Sequence, residues 1–196
     1  GQHRVLVIYG PGESRRRQIA KTHLQLGGRV VMWDLGYFDR PDGMRLSVDG
    51  MHPTREQLLM SPLLGRRSFE LREDADPAGP VLLVGLGEKS LPAYRLQPLQ
   101  WERAAVERIR RRLPGAEIIW RPKGKIVRSL AGVRPEAGGT IEEALRGKSL
   151  VVCRHSNVGV DAALAGVPVW CDDGAAADGR RLGVAVAVGG EVVPRS

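Results

Sequence analysis

The sequence predicts an α/β fold of two small Rossmann-like halves built on parallel sheets, from three observations. Short β-branched apolar runs alternate with helical patterns, glycine-rich turns punctuate the strand ends, and the alternation breaks once at a polar Pro/Gly-rich stretch, 72–80. The expected halves are therefore residues 2–76 and 80–196. A chain of 196 residues with 42% hydrophobic and 27% charged residues can bury a core in either one domain or two, which excludes a globally disordered protein.

In the first half, Arg4 to Tyr9 (RVLVIY) predicts a buried strand ending at Gly10-Pro11-Gly12. A charged helical pattern follows from Ser14 to Leu26, Gly27-Gly28 stop it, and Arg29 to Trp33 (RVVMW) predicts the next strand. After an irregular stretch, Arg45 to Val48 reads as a short strand. Thr54 and Gln57 have capping-box spacing for a helix after Pro53, and Arg66 to Leu71 is a further strand candidate.

Punctuation is clearer in the second half. Val81 to Val84 precedes Gly85-x-Gly87, and a helix is expected from about Leu99 to Leu113, with Glu117 to Trp120 as the next strand. Thr140 and Glu143 form a second capping-box pair, Ser149 to Cys153 is a strand, Asn157 to Ala165 a helix stopped by Gly166, and Val167 to Cys171 a strand.

The formal net charge is +8, and all but five of the 30 basic residues are arginine. Arginine's planar fork suits phosphate, so a polyanion such as DNA or a phosphorylated small molecule is an expected partner. A GC-rich coding sequence produces the same bias. No apolar run approaches the roughly 20 residues of a membrane span, and Gly1-Gln2-His3-Arg4 leads directly into a strand pattern, so the expectation is a cytoplasmic protein without membrane insertion. Gly1 in place of Met reads as a processed start. Cys153 and Cys171 sit in strand-like runs without metal-ligand spacing and are expected to be buried thiols.

Gly10-Pro11-Gly12 lacks the third glycine of a dinucleotide fingerprint, no Gly-Lys-Ser/Thr follows a glycine-rich loop, and there is no Gly-x-Ser-x-Gly elbow. These absences argue against NAD binding, P-loop hydrolysis and the nucleophile chemistry of α/β-hydrolases.

The most informative segment is Arg154 to Cys171 (RHSNVGVDAALAGVPVWC). Ser156 is expected at the N-cap after a strand, with Asn157, Val158 and Gly159 in the first turn. Unpaired N–H groups and the positive end of the helix dipole would meet a phosphate there. Gly159, lacking a Cβ, would admit a ligand or a neighbouring backbone.

This order, Ser156-Asn157, Gly159-Val160, Ala162-Ala163-Leu164 and Gly166-Val167-Pro168-Val169, resembles the donor-side segment of GT-B glycosyltransferases, in particular the capsule-polysaccharide and Kdo-transferase branch. Arg121-Pro122-Lys123 resembles that branch's Arg-Pro-His-Pro element, with Lys123 at the histidine position. Trp33 to Arg40 (WDLGYFDR) is similar to its acidic-Gly-aromatic element, and Arg45 to Pro53 (RLSVDGMHP) to phage glycosyltransferase-like proteins. The matches cover about a third of the chain.

The resemblance implies a compact GT-B-like, metal-independent enzyme that moves a sugar from a nucleotide-sugar of UDP type to a hydroxyl, with no essential cofactor. The phage likeness and basic charge extend the acceptor to 5-hydroxymethylpyrimidine in DNA, with a glycan as the alternative. Glycosyl transfer needs cations and amides at the leaving pyrophosphate and a base at the acceptor hydroxyl. For the first task the candidates are Lys89, Arg121, Lys123, His155, Ser156, Asn157 and Gly159, and for the second Asp34, then His52. Gly10 and Gly12 would form the acceptor-side loop.

Each candidate also has a structural reading. Asp34 could hold a turn, His52 could sit in a loop, His155 could touch a neighbouring carbonyl, Gly159 could pack on a strand, and the cations could be solvated. Two rival functions follow: a non-catalytic module binding nucleotide or nucleic-acid phosphate, and a nucleotide-sugar epimerase of related fold.

Overall fold

A computed structural model describes residues 4–10, 13–36, 43–51, 53–54, 56–57, 72–124, 129–136, 138–173, 176–177, 186–188 and 191–192. The chain divides into two units, Gly1–Ser68 and Phe69–Ser196. His52, Gly12 and the candidate strand 66–71 lie outside the described residues.

In the first unit, β1 (Val5–Tyr9) leads through α1 (Ser14–Gln25) to β2 (Arg29–Leu35), which pairs with β1 in parallel from Val5↔Arg29 to Tyr9↔Trp33. Gly27, with φ of +78°, takes the left-handed conformation that ends α1 without a Cβ penalty. The third strand, β3 (Met44–Val48), runs antiparallel to β2, so this sheet is mixed rather than wholly parallel as expected. Thr54 and Gln57 exchange both bonds of the capping box. The Gln57 amide also bonds both the N–H and the C=O of Val48, satisfying backbone groups at the end of β3.

The alternation of β1 and β2 places Ile8, Val30 and Met32 on one face, where α1 covers them with Ala20 and Leu24. The opposite face carries Val5, Val7, Tyr9, Trp33, Leu35, Met44 and Leu46, all exposed, with Val7 at 64% and Leu46 at 63%. The Tyr9 and Trp33 rings meet there edge to face, 5.2 Å apart.

The described residues of the second unit form a seven-stranded sheet with helices in its crossovers. Its strands are β4 (Val81–Val84), β5 (Ile118–Arg121), β6 (Arg134–Pro135), β7 (Leu150–Cys153), β8 (Val169–Cys171), β9 (Val186–Val188) and β10 (Glu191–Val192), ordered β10-β9-β8-β7-β4-β5-β6. Every neighbouring pair is parallel except β9–β10. The crossovers carry α2 (Leu91–Tyr94), α3 (Gln100–Arg112), α4 (Ile141–Leu145) and α5 (Val158–Leu164).

Strands β4 and β7 are buried along their whole length, as a parallel sheet covered on both faces requires. Val81, Leu83, Ile118, Trp120, Leu150 and Val152 pack against Trp101, Ala105, Val106 and Ile109 of α3. Leu82 and Val151, pointing the other way along their strands, are fully buried as well. Thr140 and Glu143 close both bonds of the expected capping box at the start of α4.

The polar stretch expected to separate the halves begins by docking on this second unit. Arg72 and Asp74 donate backbone N–H groups to Leu164 and Ala165, and Asp76 to Lys148. Gly166 permits the approach, because a Cβ there would sit 2.1 Å from the Arg72 carbonyl oxygen. The division between units therefore falls before this stretch rather than within it.

Candidate ligand-binding edge of the second unit

From β4 the chain proceeds outward to β5 and β6, then returns to the other side of β4 for β7, β8 and β9. The direction of winding thus reverses between β4 and β7, and in open α/β sheets ligands bind at the carboxyl ends of the strands at such a reversal. Two groups of side chains meet along that edge.

The first lies at the reversal itself. Ser90, in the 3₁₀ turn Glu88–Ser90 after β4, is hydrogen-bonded through Oγ to Nε2 of His155 after β7, at 3.1 Å. Tyr94 of α2 packs its ring against His155 (centroids 5.1 Å apart), and the Arg154 guanidinium lies over the Tyr94 ring, 4.1 Å from its centroid. The Tyr94 hydroxyl donates to Asp173 Oδ2 at 2.7 Å, so the loop after β8 is tied in as well. Burial, and then the bond to Asp173, hold the Tyr94 phenol well above the ordinary tyrosine range. Beside it, Asp172 accepts the Trp101 indole N–H at 2.7 Å and both arms of the Arg108 fork, with Arg154 at 3.9 Å. Arg154 Nε is buried with no hydrogen-bond partner among the described residues.

Ser156 and Asn157 stand at this reversal, in altered roles. The N-cap of α5 is Asn157 rather than Ser156. The Ser156 hydroxyl instead accepts the Val158 N–H two residues on, at 3.3 Å, a local turn bond of the kind serine favours. At seven residues, α5 supplies a shorter dipole than the sequence pattern implied. Gly159 faces the protein: a Cβ there would lie 2.6 Å from the Ala176 Cβ and 3.1 Å from Cys153 Sγ, so its role is helix–sheet packing. The two thiols, buried as expected, sit in register on β7 and β8 with sulfurs 3.5 Å apart. The bond to Cys171 and then burial push the Cys153 thiol upward.

The second group lies between β4 and β5. Gly85 lets the strand ends close up, since a Cβ there would be 3.2 Å from both the Lys123 nitrogen and Trp120 Nε1, whereas one on Gly87 would make only an ordinary contact with the Lys123 side chain, at 3.6 Å. Arg121 donates to Glu136 Oε2 at 2.5 Å and to the Gly139 carbonyl at 2.8 Å, which makes it a tie between β5 and the following segment. Lys123 and Lys89 are exposed on this edge. Leu86, Glu102, Trp120 and Lys123 contribute to a pocket of about 30 Å³, room for one or two water-sized groups.

In the first unit, Asp34 is committed on both oxygens. Oδ1 accepts the Leu35 N–H at 2.8 Å, and Oδ2 accepts from Arg45, its cross-strand partner, at 3.1 Å. Gly10, with φ of +59°, lies beside it and donates to the Trp33 carbonyl.

The sequence reading brought out His155, Ser156, Arg121 and Lys123 but missed Ser90, Tyr94, Arg154, Asp172, Asp173 and Glu102. Arg154 and the two aspartates directly follow strands, a position that could have marked them. Tyr94 and Glu102 carry no such signal. Among the described residues no group of His, Cys, Asp or Glu is placed to hold a metal ion, and no helix is long and apolar enough to cross a membrane. No protein-family model matches the chain, and no curated protein matches it.

Proposed function

We propose that the chain is a nucleotide-sugar glycosyltransferase whose second unit binds the donor at the β4/β7 reversal. One observation carries this reading: the winding reverses where Arg154, His155 and Ser156 follow β7, and Arg154 holds an unpartnered Nε–H there. A guanidinium at that place can stabilise the charge that develops on a leaving pyrophosphate, and His155 can donate or accept a proton beside it. No metal is needed for that task. Asp34 in the first unit is the acceptor base, and the acceptor is a hydroxyl of a glycan or of a 5-hydroxymethylpyrimidine in DNA.

A non-catalytic nucleotide-binding module is the second reading, favoured by the double commitment of the Asp34 carboxylate. Calorimetric titration with UDP, with sugar release from UDP-sugars measured in parallel, separates the two. Binding with slow release supports the transferase, binding without release supports the module, and absence of binding by UDP, ADP, GDP and CDP overturns both. Arg154→Gln should weaken the nucleotide at least about tenfold, as loss of a charge-assisted hydrogen bond implies. If DNA is the acceptor, log affinity should fall with log salt by about 0.9 for each phosphate neutralised. Salt-insensitive or absent DNA binding leaves the glycan.

A further inference from the structure

We propose that the pocket between β4, β5 and the first turn of α3 recognises a hydroxyl of a polyol, a sugar or a ribose, which accepts the Trp120 indole N–H and donates to Glu102 Oε2. The two residues are 4% and 2% exposed, and each holds one polar atom without a partner: Trp120 Nε1, and Oε2 of a carboxylate whose Oε1 accepts the Leu86 N–H at 2.7 Å. Leaving a carboxylate oxygen and an indole N–H both buried and unbonded costs free energy that native structures rarely tolerate, so the pair calls for an occupant.

Both side chains reach one turn. Trp120 Nε1 lies over Gly85, where a Cβ would be 3.2 Å away, and Glu102 is bonded to the next residue, Leu86. The occupant must accept at one atom and donate from it or from its neighbour. An ammonium group cannot accept from the indole, and a carboxylate or phosphate would face Glu102 as a like charge. A hydroxyl satisfies both residues and matches the size of the pocket, about 30 Å³. The bond to Glu102 would be charge-assisted and therefore the stronger of the two.

The pocket is also placed for a larger molecule than water. Its floor residues are buried, whereas Glu88, Pro98, Pro122 and Lys123 on its rim are exposed. It opens at the carboxyl ends of β4 and β5. One hydroxyl can occupy the floor while the remainder of the polyol lies across the rim. This inference needs only the pocket and stands apart from glycosyl transfer.

The test is titration of the full chain with UMP, 2′,3′-dideoxy-UMP and D-glucose, followed on the indole N–H signals of the four tryptophans by nitrogen–proton correlation spectra. The Trp120 signal is the one missing from Trp120→Phe. A saturable shift of that signal is expected: with UMP but not its dideoxy analogue if the hydroxyl is a ribose's, and with glucose if it is a sugar's. By calorimetry, Trp120→Phe should bind the responding probe roughly two- to tenfold more weakly and Glu102→Gln more than tenfold more weakly. If Glu102→Gln does not fold, Trp120→Phe decides. A Trp120 signal unmoved by all three probes, a response to the dideoxy analogue equal to that of UMP without any response to glucose, or unchanged affinity in Trp120→Phe overturns the proposal and leaves the two orphaned atoms to a buried water.

Discussion

The sheets of the two units are made from similar apolar runs, yet they are covered differently. In the second unit β4 and β7 are buried at every residue, because their alternate side chains point into cores on both sides. In the first unit β1 reads exposed at Val5, Val7 and Tyr9 and buried only at Ile8, because α1 covers one face. The runs VLVIY and VLLV would be difficult to tell apart by composition. What differs, among the described residues, is how many helices return to the sheet, so burial of a β-branched run is a property of topology as much as of sequence.

Leucine truncation should expose the largest contrast. Leu82→Ala removes a fully buried side chain and should cost about 2 to 5 kcal/mol, whereas Leu46→Ala, on the open face of β3, should stay within about 0.5 kcal/mol. Urea titration followed by circular dichroism measures both. Equal losses would mean that the open face is covered in solution.

A smaller effect concerns the tie between α2 and the loop after β8. Tyr94→Phe removes one hydrogen bond and should cost about 0.5 to 1.5 kcal/mol near neutral pH. The phenol is raised in the folded state, so its contribution is complete below the ordinary tyrosine value of about 10 and is lost as pH rises beyond it. The stability difference between wild type and Tyr94→Phe should therefore shrink on going from pH 8 to pH 11. A difference that stays constant over that range would remove Tyr94 from the alkaline transition.

A modest stability effect is expected at Asp34. Its ion pair with Arg45 is partly exposed, and Asp34→Asn should cost no more than about 1 kcal/mol. Its effect on turnover separates the two functional readings: a general base lost by this substitution lowers the rate at least about 10²-fold with donor affinity unchanged. Unchanged turnover would move the base to His52 or imply a retaining mechanism.

Local signals carried over well. The capping boxes at Thr54/Gln57 and Thr140/Glu143 close both bonds, Gly27 and Gly166 take left-handed conformations at helix ends, and the boundaries of β4, β5 and β7 fall within one residue of the expected ones. All of these depend on neighbours within a few positions. The site was only half legible because its ties are long-range: Tyr94 and Asp173 are 79 residues apart, Trp101 and Asp172 are 71, and Ser90 and His155 are 65. Likewise nothing near Arg121 foretold that Glu136 would engage it, and the antiparallel return of β3 left no mark in its own five residues.

The in-register thiols of Cys153 and Cys171 give the second unit an internal clock. Both are sealed beneath the loops that carry Arg154, His155 and Asp173, so an alkylating reagent can reach them only when β7 and β8 part from what covers them. If closing outpaces the chemistry, the labelling rate is set by the population of that opening, and a ligand that rests on those loops must slow it in proportion to its occupancy. Labelling kinetics can then rank candidate ligands without knowledge of any reaction they undergo.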